Sequence, residues 1–258
     1  MPKRLDEHVD LFSRGGGVVG VAESQNQLIG VPTKVRVFGY VVDSEGNVAN
    51  YRDHVLLRPK KTERETGGAK VILCVGTSMN SGKTHAAACC YALSSMGKNV
   101  RAAKITGTAG LKDILLMNDC GATNIADFTY FGYPSTYLLE ADKLLSIFRS
   151  FDMKYGNNPK NYLVIEIADG IFQRETAMLL KMPEVRERIH KLIFCAPDSS
   201  AVYGGLQVLR EEFNLIPDAI SGLCSSSPLA MREIESFCEL PILKSMEKEY
   251  RSIVKIIG

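Results

Sequence analysis

Residues 71–84 constrain this chain more than any other stretch. Five apolar residues, Val71-Ile72-Leu73-Cys74-Val75, run into Gly76-Thr77-Ser78-Met79-Asn80-Ser81-Gly82-Lys83-Thr84, and an Ala-rich segment follows. So short an apolar run suits a strand buried on both faces. Thr84–Met96 then reads as a helix, stopped by Gly97 as its C-cap. A glycine-rich turn at such a junction directs backbone N–H groups inward toward an anion, and the helix N-terminus adds a positive dipole end. Lys83 is placed to neutralise β- and γ-phosphates, and the Thr84 hydroxyl to complete a magnesium shell. Gly76, Thr77, Ser78, Met79, Asn80, Ser81, Gly82, Lys83, Thr84 and the following His85 are therefore the candidate nucleotide-binding residues. The bland alternative is an ordinary Gly-rich strand-to-helix loop, and for His85 an accommodated first-turn helix residue.

The spacing departs from the strict pattern. GxxxxGK[ST] puts glycine at position 77, where this chain has Thr77; the first glycine is displaced to Gly76. From Lys70 onward strands and helices alternate: Val100–Ile105 and Asn124–Phe128 as strands, Leu111–Asp119 and Ser135–Phe151 as helices, Tyr162–Ala168 as the next buried strand. Gln173–Lys181, Ser199–Phe213, Leu229–Cys238 and Met246–Ile256 read as further helices between the short strands Lys191–Cys195, Ala219–Cys224 and Ile242–Leu243. Such βαβ repetition argues for an α/β fold with a mostly parallel, doubly wound P-loop sheet.

The first ~60 residues differ in texture. Val18–Ala22, Lys34–Val42 and Val55–Leu57 are short, Val-rich and β-like, and Asp43-Ser44-Glu45-Gly46-Asn47 supplies turn chemistry. The polar stretch Lys60–Gly68 reads as a linker. The expected division is a small β-rich N-terminal domain over 1–66 and a P-loop NTPase-like α/β domain over 67–258.

Composition narrows the partners. A formal net charge of +2 over 258 residues gives no reason to expect electrostatic capture of nucleic acid or membrane. No run approaches the ~18 apolar residues of a membrane span, and Met1-Pro2-Lys3-Arg4 leads into Asp6 and Glu7 rather than an apolar signal segment. The seven cysteines include no CxxC pair, and Cys74, Cys195 and Cys224 lie in apolar β-like runs. A reducing cytoplasm is expected.

Ligands of open parallel sheets sit beyond the carboxyl ends of strands, and several polar residues fall there. Glu166 and Asp169 are the candidate acidic partners of magnesium beside Thr84. Asp169 has an alternative as the cap of a helix beginning near Ile171. Glu166, flanked by Ile165 and Ile167, would be costly as a buried carboxylate without a partner. Lys104 closes an apolar strand and is placed to hold a γ-phosphate or an anionic substrate, or else snorkels to solvent. Lys83, Lys104 and Glu166 are thus the candidate catalytic residues. Thr106, Thr108, Asp113, Asp127 and Arg174 are candidate substrate contacts; Asp113 and Asp127 have a plain alternative as polar helix or strand-end residues, and Arg174 as half of a solvated pair with Glu175.

The Gly76-Thr77 start of the loop, its end at Gly82-Lys83-Thr84, Lys104-Ile105-Thr106-Gly107 and Glu166-Ile167-Ala168-Asp169-Gly170 together resemble dethiobiotin synthetase, of the SIMIBI class of P-loop proteins. A closer likeness is to the P-loop family that includes D-glutamate N-acetyltransferase-like proteins. It is carried by Lys104–Thr108, Asp127-Phe128, Ser135-Thr136-Tyr137, Glu166-x-x-Asp169-Gly170 and Gln173–Thr176. Ser78, Met79 and Asn80 stand where ParA- and MinD-like members carry an early lysine. The resemblance implies an enzyme using ATP (GTP is possible) and Mg2+ to phosphorylate or activate a small anionic, carboxylate-type substrate. A homodimer is expected, without nucleic acid or membrane. The alternative, similar to molybdopterin-guanine dinucleotide biosynthesis protein B, is a nucleotide-dependent accessory or regulatory ATPase or GTPase with little small-molecule chemistry.

Overall fold

The computed structural model describes residues 8–57, 68–244 and 250–258. Three short antiparallel strands come first: His8–Ser13 (β1), Val18–Gly20 (β2) and Lys34–Arg36 (β3), in the order β2-β1-β3. The N-terminal strands expected at Val18–Ala22 and Lys34–Val42 are thus shorter than their Val-rich sequences suggest, and β1 was not anticipated. The expected turn over 43–47 is present. The Asp43 side chain accepts from the N–H groups of Glu45 and Asn47, and Val42 bridges Val48. Val55–Leu57 is not a strand: it follows a 3-10 turn, Tyr51–His54, and the N–H groups of Leu56 and Leu57 both donate to the Tyr130 carbonyl. Most of the predicted linker, residues 60–67, lies outside the described residues.

The rest alternates as expected, except that Ile242–Leu243 is no strand and makes only an isolated bridge from Ile242 to Ile220. Lys70–Gly76 (β4) leads to His85–Ser95 (α1), Asn99–Lys104 (β5), Leu111–Asp119 (α2), Asn124–Asp127 (β6) and Ala141–Tyr155 (α3). Then come Asn161–Glu166 (β7), Arg174–Lys181 (α4), Pro183–Arg186 (α5), Ile189–Cys195 (β8) and Ser199–Phe213 (α6). Ala219–Ser221 (β9), Pro228–Glu235 (α7) and Arg251–Ile257 (α8) complete the order. Part of the helix expected over 246–256 lies outside the described residues. The six strands form one parallel sheet, β6-β5-β7-β4-β8-β9.

Because β-strand side chains alternate, the sheet buries two sets of residues. Val71, Leu73, Val75, Leu163 and Ile165 pack with Phe148 and Phe151 of α3 and Leu179 of α4. Ile72, Cys74, Val164 and Ile193 pack with Cys89 and Leu93 of α1 and Ile253 of α8. Helices on both faces make the domain doubly wound, with β7 buried along its whole length.

One helix starts late. The stretch expected to be helical from Ser135 is a loop as far as Glu140, the N-cap of α3. Thr108 pairs with Ser135 in an antiparallel bridge, and Leu138 adopts a left-handed φ of 61° that a helix cannot contain. Tertiary pairing overrides a helical apolar spacing here.

Candidate functional site

The parallel register gathers chemistry at the carboxyl ends of four strands. Cys74 lies opposite Glu166, Glu166 opposite Lys104, and Lys104 opposite Asp127, so a carboxylate, an amine and a second carboxylate form one row across β7, β5 and β6. The loop after β4 overhangs this row. Lys83, Thr84, Lys104, Glu166 and Asp169 line one open cleft of ≈ 490 Å³, with Met79, Asn80, Gly82, Asp113, Ala168 and Leu223 completing its walls.

The loop is built from backbone contacts. Thr77 N–H donates to the Cys195 carbonyl, Leu223 N–H to the Ser81 carbonyl, and Ile171 N–H to the Gly76 carbonyl. Gly82 sits at φ 89° against Gly222 at φ 97°; a Cβ on Gly82 would lie 2.8 Å from the Gly222 Cα. Two such residues must be glycine to approach this closely. Thr77, at the position the strict pattern gives to glycine, has room because α6 presents Gly205: a Cβ there would come within 3.1 Å of the Thr77 methyl. Among the described residues the buried Thr77 hydroxyl has no hydrogen-bond partner.

Lys83 Nζ donates to the Ser78 carbonyl at 2.7 Å and the Met79 carbonyl at 3.3 Å. Burial lowers its pKa, opposed by the charges of Glu166 and Asp169. Glu166 is pushed up to about 7, chiefly by burial and against the pull of Lys104 and Lys83. Lys104 is ion-paired to Asp113 in the first turn of α2. Its largest single influence is burial, which lowers the pKa, yet Glu166, Asp113 and Asp127 together outweigh it and raise the value. Burial also raises Asp127, whose carboxylate accepts from the N–H and hydroxyl of Thr129.

The other candidates are distributed as follows. Asp113 lies in the cleft. Thr106 donates its hydroxyl to the Ala168 carbonyl and is fully buried. Thr108 is held in its bridge to Ser135, and Arg174 donates to the Leu139 carbonyl and the buried Glu175 carboxylate. Arg174 therefore braces the loop before α3 and is not part of the cleft lining. Asp169 does not cap a helix: α4 begins at Arg174, with the Gln173 side chain as its cap. The His85 side chain is buried, 2.7 Å from Ser221 Oγ, and burial lowers its pKa to about 4. Sequence reasoning missed Gly222 and Leu223, whose place beside the phosphate loop follows from the packing of distant segments.

The donor set suits magnesium on a nucleotide. Besides Asp113, which pairs with Lys104, a Thr hydroxyl and the carboxylates of Glu166 and Asp169 line one cleft, whereas the described residues contain no group of three or more His, Cys, Asp or Glu able to hold a metal unaided. Magnesium bound with phosphates needs only one or two carboxylates. No described helix is long and apolar enough to cross a membrane.

No protein-family model matches the chain, and no curated protein does. Among solved structures, the signal recognition particle receptor FtsY from Elizabethkingia anophelis is similar with TM-score 0.50 and 13% identity, over 74% of this chain and 64% of that one. The same receptor in complex with GDP gives TM-score 0.48 at 12% identity, over 78% of this chain and 63% of that one. FtsY from Mycoplasma mycoides gives 0.45 at 14% identity, over 78% and 68%. This chain spans less than two thirds of the length of the first two. Likeness at such identity is likeness of fold, and it does not single out the dethiobiotin-synthetase group. The chain has an α/β P-loop NTPase fold, a six-stranded parallel sheet with helices on both faces, with a small antiparallel sheet before it.

Proposed function

We propose that this chain binds a nucleoside triphosphate with Mg2+ and acts as a nucleotide-dependent accessory or regulatory NTPase. The observation that carries this reading is the pairing inside the cleft. Lys83 and Thr84 face Glu166 and Asp169, while the amine best placed for an anionic co-substrate, Lys104, is already engaged by Asp113. Thr106 and Thr108, the neutral candidates for substrate contact, are likewise held in contacts within the chain.

In this reading Lys83 would neutralise the β- and γ-phosphates, and the Thr84 hydroxyl with Asp169 or Glu166 would hold the metal. Magnesium, when bound, would supply positive charge against the phosphates. Glu166, poised near neutrality, orients water and takes up or releases a proton at its carboxylate. Lys104 places a fixed positive charge where negative charge develops. Asp198, the N-cap of α6, follows β8, and Ser225 follows β9; these two strand-end segments are the candidates for reading the base.

The test is titration of the full chain with ATP and with GTP, with and without Mg2+, followed by turnover. Mg2+-dependent binding that Lys83→Ala abolishes supports the reading; wild-type affinity in that variant defeats it. The row Glu166–Lys104–Asp127 favours a second reading, phosphorylation or activation of a small carboxylate, if Asp113 gives way to the substrate. Turnover stimulated by a pool of small carboxylates and amino acids would favour it. A homodimer, a cytoplasmic location and the division at residues 66 and 67 belong to the same proposal. Light scattering with and without nucleotide tests the first, and expression of residues 67–258 alone tests the last.

A further inference from the structure

The turn between β1 and β2 packs against the loop that leads into α2. Ser13 Oγ donates to the Ala109 carbonyl at 2.5 Å. Gly16 lies so close to Ala109 that a Cβ would stand 2.5 Å from the Ala109 methyl and overlap its carbonyl oxygen. Gly15 follows along the same loop, where a Cβ would come 3.4 Å from Leu111 N and 3.6 Å from the Gly110 Cα. Ala109 is itself buried, and its N–H donates to the Pro134 carbonyl. The turn is not loosely hung. Behind it the Asp10 carboxylate accepts from the Ala22 N–H at 2.9 Å and from Lys34 at 2.5 Å, and Val18 packs on the main core.

The contacted loop ends at Leu111, and Asp113 stands in the first turn of the helix it opens. Asp113 holds Lys104 in the cleft. We propose that the turn Ser13–Gly17 is a positioning element for the cleft: by seating Ala109–Leu111 it fixes the start of α2, and thereby the Asp113–Lys104 pair. This gives the N-terminal sheet a positioning part in the site, and it rests on the nucleotide reading above only for its effect on turnover. Gly16 and Ser13 are positioning residues that act through the backbone of 109–111; neither touches the cleft.

Two measurements on the full chain test this. The first is the rate at which acetic anhydride modifies Lys104, read by mass spectrometry. Gly16→Val should raise that rate toward the value in Asp113→Ala, Ser13→Ala should raise it less, and Gly30→Ala should leave it unchanged, since a Cβ on Gly30 meets nothing within 4 Å. The second is turnover against nucleotide affinity: Gly16→Val should lower kcat about fivefold while the Kd for Mg-nucleotide stays within about twofold, the pattern of a lost positioning effect. A folded Gly16→Val chain with wild-type Lys104 reactivity overturns the inference, as does a fall in nucleotide affinity matching the fall in kcat. If Gly16→Val does not fold, Ser13→Ala decides by the same two measurements. A wild-type chain that turns over no nucleotide defeats the functional reading, and the Lys104 reactivity still decides this one.

Discussion

The two sheets of this molecule are held in opposite ways. In the six-stranded sheet every residue of β7 is buried, and its neighbours β4 and β5 bury most of theirs. In the three-stranded sheet β3 buries nothing, and the segment after it leaves Phe38 and Val41 largely exposed. The first sheet therefore draws its stability from apolar area removed from water. The second buries Val9 and sets Val18 against the main core, and is otherwise held by an ion pair, a few hydrogen bonds and a glycine turn pressed onto a loop. With so little apolar area of its own, the N-terminal sheet serves as an attachment to the α/β domain rather than a second store of stability, and local opening should begin there.

Four substitutions test that contrast, beginning with the one of greatest expected effect. Phe151 is fully buried, with its ring centroid 5.1 Å from Phe131. Phe151→Ala should cost about 3–5 kcal/mol in urea unfolding, as large-to-small changes in packed cores do. His85 comes next, because its pKa lies at about 4 in the fold against an ordinary 6.5. As pH falls from 6.5 toward 4 the unfolded chain takes up the proton and the native one does not, so stability is full above 6.5 and declines through that window. The loss is on the order of 3 kcal/mol, and His85→Asn should flatten the stability–pH curve in the metal-free protein.

Lys83→Ala should weaken Mg-nucleotide binding roughly a hundredfold, the worth of a strong charge-assisted contact, with little change in unfolding midpoint. The smallest effect belongs to the N-terminal segment. Leu28 is 94% exposed, so Leu28→Ser should move stability by no more than about 0.5 kcal/mol. A cost near that of Phe151→Ala would mean that a partner covers this surface, and the contrast would fail.

Much of the α/β domain was legible because its strands are short apolar runs and its helices carry ordinary punctuation. Leu111–Asp119 and Ser199–Phe213 match residue for residue, and Gly97 ends the first helix as expected. The errors fall where long-range contacts decide local conformation. Leu138 and Leu139 continue the apolar spacing of α3, but the bridge from Thr108 to Ser135 and the bond from Leu138 N–H to the buried Glu175 hold them in a loop. Val55–Leu57 looks like a strand and instead hangs both its donors on the Tyr130 carbonyl. At the site, Lys83, Thr84, Lys104, Glu166, Asp169 and Asp113 could all be found from their places at strand ends or helix starts. That Asp113 holds Lys104, and that Gly222 backs the phosphate loop, depend on which segments meet in space, and no local pattern encodes that.

The meeting of Gly82 with Gly222 has a mechanical consequence. A contact between side chains absorbs small displacements by changing rotamer, whereas one between two bare backbones has no such slack. The phosphate loop and the segment after β9 are therefore geared together. A shift of a few tenths of an ångström at Gly82 must be matched at Gly222 and felt at Leu223, whose N–H is anchored on Ser81. Strain applied at one end of the cleft is delivered to the other without an intervening side chain to dissipate it.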